Sequence, residues 1–361
     1  MKTQDIDAYK KRIGRQYLLL FLTVIFMLVI LVVGALFFRF NKAYPVKQAE
    51  SHVYDKYYAM ITDNYKSDFW KAVYKGAFER AQEENVYVEL FGEQFSRDYS
   101  VEELMEIATA SRVDGIIVYA NETLEMAKAI NKAVDQGIPV VTLYGDCTKS
   151  NRLSFVGVGS YSVGKMYGSQ IIDIIKEKRR EELIESETIE DRSQIRITVL
   201  VDTDSTDTGQ NIIISGIQDA INQDNVTDSE FAVSIVAVDN TNSFSVEESI
   251  RDIFTQDDIP DVIVCLNEQS TVCTYQAVVD FNLVGEVSIL GYYNSETIVN
   301  AIERGGIYAA ISIDAAQLGQ YSVNALTDYY EFGNTSEYYL ADVALINQDN
   351  VADFLTKEAD E

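Results

Sequence analysis

The residues most able to do chemistry follow a short apolar run, residues 57–62, in a polar turn that ends on two aromatic side chains. Asp63 and Asn64 supply a carboxylate and an amide, and Phe69 and Trp70 supply flat apolar faces. The apolar run has the length of a strand, and a helical pattern begins at the aromatic pair. Since ligands of open α/β sheets bind outside the carboxyl ends of the strands, this turn is predicted to contact a small molecule.

The two aromatic residues of this turn have different predicted roles. Trp70 shares the helical phase of the apolar stripe formed by Val73, Tyr74, Ala77, Phe78 and Ala81, so packing in the core is its preferred interpretation. Phe69 lies out of phase with that stripe and is predicted to face the ligand.

Enzymatic chemistry has little support in the sequence. The single histidine, His52, lies near the start of the folded region, which excludes a Ser-His-Asp triad and a histidine-ligated metal at the turn. Asp63, Asp68 and Asp146 offer carboxylates that a fold could bring together, but no glycosidase pattern accompanies them. We predict a protein that is not an enzyme and has no catalytic residues.

Metal and dinucleotide motifs are incomplete. The segment 202–209 places carboxylates at positions one, three and six of a calcium loop, but lacks the glycine at position six and has Ile213 at position twelve. Helix capping by the acidic residues of 204–207 is the preferred interpretation. Gly157, Gly159 and Gly164 do not have the spacing of a dinucleotide fingerprint, because the third glycine comes two residues late, and hinge packing explains them. We predict no metal and no cofactor.

The composition excludes further classes. A formal net charge of −28 repels phosphate backbones, which argues against nucleic acid as a partner. The three cysteines, Cys147, Cys265 and Cys273, match no zinc spacing and are predicted to be buried and reduced. A bridge between Cys265 and Cys273 is the alternative in an oxidising compartment.

The amino-terminal segment predicts a membrane anchor. Residues 17–38 carry no charge, and about 20 helical residues cross a hydrocarbon core. A cleaved signal peptide is the alternative, although its apolar region is usually only about 7 to 15 residues. Basic residues in the preceding tail, residues 1–16, place that tail in the cytoplasm and everything after the span outside. Residues 39–51 are predicted to form a stalk.

Beyond the stalk, strand and helix patterns alternate. Continuously apolar strands indicate parallel sheets covered by helices on both faces, and two successive series of these units predict two doubly wound α/β lobes. Residues 176–193, a charge run between a helix and a strand, are predicted to be a solvated extension without a site. Residues 338–346 are predicted to form one strand and residues 349–355 a short end.

The order of these motifs resembles the type 1 periplasmic binding proteins of the ribose and galactose binding group. The resemblance covers residues 53–346 and rests on DNYKSDFW with GAFERA, VDGIIVYA, DQGIPVVTLYGD, VGVGSYSVGKMYG, PDVIVCLNEQ, SILGYY and AAISIDAAQLGQ. It implies a hinged cleft between the lobes and three chain crossings, near Val158, Ile313 and Ala341. The implied lobes are residues 52–158 with 314–341, and residues 159–313 with 342–361.

The resemblance also implies a ligand site. Phe69 and Trp70 match the stacking aromatics of the family, and Asn267 matches a pocket asparagine. The family's sugar binders carry Asp, Arg and a hinge Gln at positions where this chain has other residues. These differences count against ribose and galactose as ligands. The hinge position is Ile313. The predicted ligand-binding residues are Asn64, Phe69, Trp70, Tyr144, Asp146, Asn211, Asn267, Tyr293 and Asn294.

The function expected from these patterns is a membrane-anchored extracellular solute-binding protein that holds a small, neutral sugar-like ligand for a sugar-type ABC importer. Its expected partners are a carbohydrate, the membrane and an ABC permease. The alternative is a receptor that signals lobe closure to a membrane histidine kinase. A purely structural surface protein is a third possibility, which ligand stabilisation of the fold would exclude.

Overall fold

The structure is a computed structural model that describes residues 25–33, 52–185, 194–203, 208–224, 231–239, 242–256 and 258–355. Within these ranges no helix is both long and apolar enough to cross a membrane. The predicted anchor lies outside the described residues except for residues 25–33, which are helical and belong to a unit separate from the compact one that starts at Tyr54.

Strands and helices alternate through the first half of the compact unit. The elements are β1 (Lys56–Ile61), α1 (Asp68–Glu83), β2 (Val86–Leu90), α2 (Val101–Ser111), β3 (Gly115–Val118), α3 (Leu124–Asp135), β4 (Val140–Leu143) and β5 (Ser154–Val158).

The same alternation continues in the second half, and four further elements close the chain. The second series is α4 (Ser160–Glu185), β6 (Ile195–Asp202), α5 (Thr208–Gln223), β7 (Phe231–Val238), α6 (Ser243–Phe254), β8 (Val262–Cys265), α7 (Glu268–Asp280), β9 (Ser288–Tyr292), α8 (Glu296–Glu303) and β10 (Ala309–Ile313). The closing elements are α9 (Ala315–Phe332), β11 (Tyr338–Ala341), β12 (Val343–Asn347) and α10 (Ala352–Leu355).

The described strands form two six-stranded sheets of matching order. The first runs β11-β5-β4-β3-β1-β2 and is parallel throughout, and the second runs β12-β10-β9-β8-β6-β7 with β12 antiparallel at its edge. The expected α/β architecture of two parallel-sheet lobes is therefore confirmed. The chain passes between the sheets after β5, after β10 and between β11 and β12.

The predicted single strand over residues 338–346 is wrong, because the chain changes sheet inside it. Asp342 separates β11 from β12, and its backbone N–H donates to the side-chain oxygen of Gln317 at 2.6 Å. The Asp342 carbonyl accepts from the backbone N–H of Asp314 at 3.0 Å. These bonds join two of the three crossings, so the break in the strand is part of the connection between the lobes.

The helix α4 extends into the charge run as far as Glu185, beyond the helix end expected from the sequence, while the prediction of a solvated extension without a site is untested. Lys, Arg and Glu have high helix propensity, and residues 176–185 contain no glycine or proline that would end the helix. The rest of the run, residues 186–193, lies outside the described residues.

The helix α9 returns to the first lobe and packs directly against α1. A Cβ atom on Gly76 of α1 would lie 2.1 Å from the carbonyl oxygen of Ala316, and one on Gly319 would lie 2.0 Å from the carbonyl oxygen of Val73. Only glycine allows this approach of the two backbones. The position of α1, and of the aromatic pair at its start, therefore depends on a segment about 240 residues later in the chain.

The sheets form the core of each lobe. Every residue of β3, β4 and β8 is buried, as expected for parallel strands covered on both faces. Cys147, Cys265 and Cys273 are buried and free, in agreement with the preferred prediction of reduced structural cysteines.

Candidate functional site

A cleft of about 940 Å³ lies between the two sheets, at the carboxyl ends of their strands. Residues at or just after the ends of β1, β3 and β4 line one side, and residues at or just after the ends of β6, β8 and β9 line the other. This volume lies within the range of about 300 to 1,000 Å³ that is usual for small-molecule sites. The matching strand orders therefore bring equivalent strand ends of the two lobes face to face.

Two tyrosines occupy equivalent, strained positions in this cleft. Tyr144 follows β4 with φ 66°, and Tyr293 follows β9 with φ 75°, both in the left-handed region that bulky residues rarely adopt. Each is fixed by its neighbouring strand: the Tyr144 N–H donates to the Val156 carbonyl at 2.7 Å, and the Tyr293 N–H to the Ile311 carbonyl at 2.7 Å. Backbone strain of this kind concentrates at functional sites, and here it recurs in both lobes.

Aromatic rings from both lobes meet inside the cleft. The Phe69 ring centroid lies 5.0 Å from that of Tyr144 in the first lobe and 5.3 Å from that of Tyr293 in the second. The contact with Tyr144 is tilted and that with Tyr293 is edge-to-face, and aromatic pairs at these distances attract each other. We call the set the aromatic cluster; its members are Phe69, Trp70, Tyr119, Tyr144, Tyr292 and Tyr293.

The burial of the aromatic pair refines the prediction from helical phase. Trp70 is 4% exposed and lines the cleft as well as the core, so both of its interpretations hold in part. Phe69 is out of phase with the core stripe but only 8% exposed, since Tyr293 of the second lobe covers it. Helical phase reports only burial within a lobe, whereas Phe69 is buried between lobes.

Asp63 is the most perturbed carboxyl of the cleft. Protein surrounds it, although its side chain still contacts solvent in the open cleft. Desolvation raises the pKa of Asp63 to about 6, a hydrogen bond from the side chain of Trp70 opposes this change, and the charge of Asp202 on the other lobe adds to it. Asp63 and Asp202 therefore line opposite walls of the cleft, at the ends of the equivalent strands β1 and β6.

A second carboxylate connects the lobes at the start of α1. Glu268 is the first residue of α7 in the second lobe and lines the cleft, where the backbone N–H of Phe69 acts on its carboxylate. Burial raises the pKa of Glu268, and this N–H lowers it in part. An acidic group at a helix N-terminus is favourable because the first N–H groups are unpaired and the helix dipole is positive there.

The two predicted asparagines that line the cleft shape their own turns. The Asn267 side-chain oxygen caps α7 by accepting from the Ser270 N–H at 2.7 Å. The Asn64 side-chain oxygen accepts from the Lys66 N–H at 3.3 Å in the turn after β1. Both residues line the cleft, so each has a structural role beside the predicted contact with ligand.

Three predicted ligand residues do not line the cleft: Asp146, Asn211 and Asn294. The Asp146 carboxylate is bonded to the Arg152 guanidinium, with one contact at 2.8 Å, and accepts from the Thr142 hydroxyl at 2.7 Å. Asn211 is exposed on α5, while Gly209 and Gln210 before it line the cleft.

Asn294 lies just beyond the cleft-lining Tyr293. Its side-chain oxygen is buried and has no hydrogen-bond partner among the described residues.

The acidic residues considered for catalysis do not converge. Asp68 pairs with Lys71 at 3.0 Å on the surface, and Asp146 pairs with Arg152, so only Asp63 of the three reaches the cleft. The described residues contain no group of His, Cys, Asp and Glu placed to hold a metal ion. The predicted capping by residues 204–207 lies outside the described residues.

Several residues that line the cleft were not predicted from the sequence. Tyr119, Asp202 and Tyr292 lie at strand ends, so the strand-end rule was sufficient to find them. Asn121, Gln210, Asn242 and Glu268 lie in loops or at helix starts, where no pattern in the chain marks them. The missed carboxylates change the character of the site, which is acidic as well as aromatic and amide-bearing.

The family model described as "Periplasmic binding protein domain" matches residues 58–334. None of the curated proteins compared with the sequence matches it.

Solved structures share the fold at low identity. A glucose-galactose binding protein from Geobacillus stearothermophilus, GanP, has TM-score 0.69 at 18% identity, covering 82% of this chain and 98% of its own. An ABC transporter solute binding protein from Agrobacterium vitis, bound with alpha-D-tagatopyranose, has TM-score 0.70 at 15% identity, covering 84% of this chain and 98% of its own. A chain of the XylFII-LytSN complex has TM-score 0.66 at 23% identity, covering 81% and 98%.

Proposed function

Because the chain belongs to the periplasmic binding protein domain family, we propose that it is an extracellular solute-binding protein that captures a small sugar-like ligand between its two lobes. Members of this family bind solutes and are not enzymes, which confirms the expectation that the chain has no catalytic activity. The observation that carries the proposal is the cleft of about 940 Å³ between equivalent strand ends, with aromatic and polar residues of both lobes in its walls.

The roles of the cleft residues follow from their chemistry. The rings of the aromatic cluster supply apolar faces that stack on the C–H faces of a sugar ring, and the polar groups at the strand ends bond to its hydroxyls. Phe69 and Tyr293 already touch across the cleft, so ligand entry requires the lobes to separate there. Opening is expected at the three crossings, which join the lobes through short segments.

The proposal includes attachment to the membrane through residues 17–38, with the lobes outside. Its support is the uncharged length of this segment and the basic tail that precedes it. The boundaries of the two lobes given by the sequence, residues 52–158 with 314–341 and residues 159–313 with 342–361, are part of the same proposal.

Delivery to the permease of a sugar-type ABC importer is the preferred coupling. The solved structures with the same fold include proteins described as sugar ABC transporter components, such as one from Bacillus halodurans at 19% identity. Similarity at this sequence identity supports the shared fold. Delivery of the ligand to a permease is proposed by analogy with proteins of that fold.

A sensor is the second candidate, in which lobe closure is read by a membrane histidine kinase. It is favoured by one observation, the similarity to the chain solved as the XylFII-LytSN complex. Deletion of the gene separates the candidates: loss of uptake of labelled ligand supports the importer, and loss of a transcriptional response with intact uptake supports the sensor.

A thermal-shift screen of the purified full-length protein tests the binding function. Neutral sugars, polyols and nucleosides are tested singly, and a compound at 100 times its dissociation constant stabilises the folded state by about 2.7 kcal/mol, which raises the melting temperature. A saturable rise with at least one compound is the expected result. An unchanged melting temperature with every compound of this panel, and with D-glucosamine and D-galactosamine, would contradict the proposal and favour a purely structural surface protein.

A further inference from the structure

The charged side chains that line the cleft are unbalanced. Among the described lining residues Lys66 is the one basic side chain, against five acidic ones: Asp63, Asp98, Glu102, Asp202 and Glu268. These acidic residues come from both lobes, so closing the cleft brings carboxylates together. Like charges enclosed in one site disfavour each other's ionisation unless a cation joins them.

Basic residues near the cleft do not correct this imbalance. Arg97 lies outside the lining, with its guanidinium 4.1 Å from the Tyr99 ring centroid and 3.4 Å from the Glu103 carboxylate. Arg152 is held by Asp146 behind the cleft wall. Residues 204–207 and 240–241, which adjoin the cleft segments in sequence and lie outside the described residues, contain no Lys or Arg.

Two of the acidic residues occupy equivalent positions on opposite walls of the cleft. Asp63 follows β1 and Asp202 ends β6, the equivalent strands of the two sheets, and the charge of Asp202 acts on Asp63. Trp70 lines the cleft at the start of the helix that follows Asp63, so an aromatic ring belongs to the same wall as this carboxylate. Aromatic faces and carboxylates both attract cations, and a protonated amine donates hydrogen bonds to carboxylates without needing an acceptor in return.

We propose that the ligand held between the lobes is cationic: a sugar-like molecule that carries a protonated amine, with its ammonium group between Asp63 and Asp202 and its carbon skeleton against the aromatic cluster. This inference rests on the proposed solute-binding function and narrows its ligand class. A neutral sugar would enclose the same carboxylates without compensating their charge, which is unfavourable in a closed site.

Matched sugars that differ in one charged group test the inference. D-glucosamine and D-galactosamine are titrated calorimetrically into the purified full-length protein at pH 7.5, beside D-glucose, D-galactose and the two N-acetyl derivatives, which lack the positive charge. At least one amine is expected to bind about tenfold or more tightly than its N-acetyl and parent forms, the difference expected of a charge-assisted hydrogen bond.

Variants locate the charge contact. D63N and D202N are each expected to weaken amine binding by about tenfold or more and to reduce the preference for the amine over its N-acetyl form, since each removes a carboxylate whose charge only the amine compensates. E331Q is the matched control, because Glu331 is exposed on α9 outside the cleft and its replacement removes the same charge from a strongly acidic protein.

Three results would overturn the inference. Binding of a neutral sugar with no preference for its amine would do so while leaving the solute-binding function intact. Equal weakening by E331Q would show attraction to the overall charge of the protein instead of a site. Absence of binding by both amines would also reject the inference, and the neutral panel of the thermal-shift screen then decides separately whether the solute-binding function stands.

Discussion

At the residue level, the cleft combines aromatic residues in strained backbone conformations with carboxylates. Tyr144 and Tyr293 hold left-handed backbone conformations at equivalent strand ends, and Asp63 and Asp202 interact across the space between them. Glycine would relieve the strain at either tyrosine but would remove a ring from the aromatic cluster. The strain is therefore best explained as the consequence of presenting these rings to the cleft.

Asp63 is expected to make stability depend on pH. Its pKa is about 6 in the folded protein against 3.8 ordinarily, so the folded state binds the proton more tightly and loses stability as pH rises between these values. Asp63→Asn removes the ionisation and retains an oxygen for Trp70. The variant is expected to melt above the wild type at pH 7.5, with the difference largely gone at pH 4.

Differential scanning calorimetry at the two pH values measures this effect. Asp135→Asn, an exposed position on α3, is the control for the change in overall charge. A difference between Asp63→Asn and wild type that is equal at pH 4 and pH 7.5 would show that the Asp63 carboxyl is not destabilised by its surroundings.

The residues of the site were only partly predictable from the sequence. Asn64 was found because it follows an apolar strand, and Tyr144 and Tyr293 because the family resemblance marks the positions that they occupy. The pairing of Asp146 with Arg152 was not visible, because it depends on how the loop between β4 and β5 folds back. Nor was the contact of Glu268 with the start of α1, since that contact joins two lobes distant in sequence.

At the scale of elements, helix N-termini shape the cleft. Asn267 caps α7 and lines the cleft, while Ser67 caps α1 by accepting from the Trp70 N–H at 3.2 Å. Each cap fixes where its helix starts, and hence where Glu268 and Phe69 are placed. A substitution at a cap therefore alters both folding and the site.

Two substitutions at Asn267 separate these effects. Asn267→Ala is expected to lower the free energy of unfolding by about 0.5 to 2 kcal/mol, because the cap of α7 is lost. Asn267→Ser retains a capping oxygen and is expected to remain within a few tenths of a kcal/mol of wild type, but to lack the amide. Urea denaturation measures the stabilities, and calorimetric titration the affinities.

The pattern of outcomes assigns the role of Asn267. Weaker ligand binding in both variants, with lower stability in the alanine variant alone, supports the predicted amide contact. Normal affinity in the serine variant would leave Asn267 with the capping role only.

At the scale of the whole molecule, the alternation of strand and helix patterns was sufficient to predict two α/β lobes. Buried parallel strands are continuously apolar, so their order along the chain is visible in the sequence. The break at Asp342 was not visible, because the apolar pattern runs through it while the hydrogen-bonding partner sheet changes. Polar atoms of distant segments, such as the side chain of Gln317, determine that break.

The orientation proposed for the membrane is tested on intact cells. Since the basic residues precede residues 17–38, the carboxyl-terminal lobes are expected to be digested by external protease and an amino-terminal epitope to be protected. Immunoblotting for epitopes at the two ends distinguishes the fragments, with a cytoplasmic protein as the lysis control. Protection of the carboxyl-terminal epitope with digestion of the amino-terminal one would reverse the proposed orientation.

The central claim, that one ligand is held by both lobes, is tested most directly by calorimetric titration of variants from opposite walls. Phe69→Leu and Tyr293→Ala each remove one aromatic face, worth about 0.5 to 1.5 kcal/mol beyond buried area, and Phe332→Ala removes an exposed ring of α9 outside the cleft. With the compound that gives the largest melting shift, both cleft variants are expected to bind about two- to tenfold more weakly and Phe332→Ala to bind normally. Unchanged affinity in either cleft variant, while the protein remains folded, would contradict a site shared between the lobes.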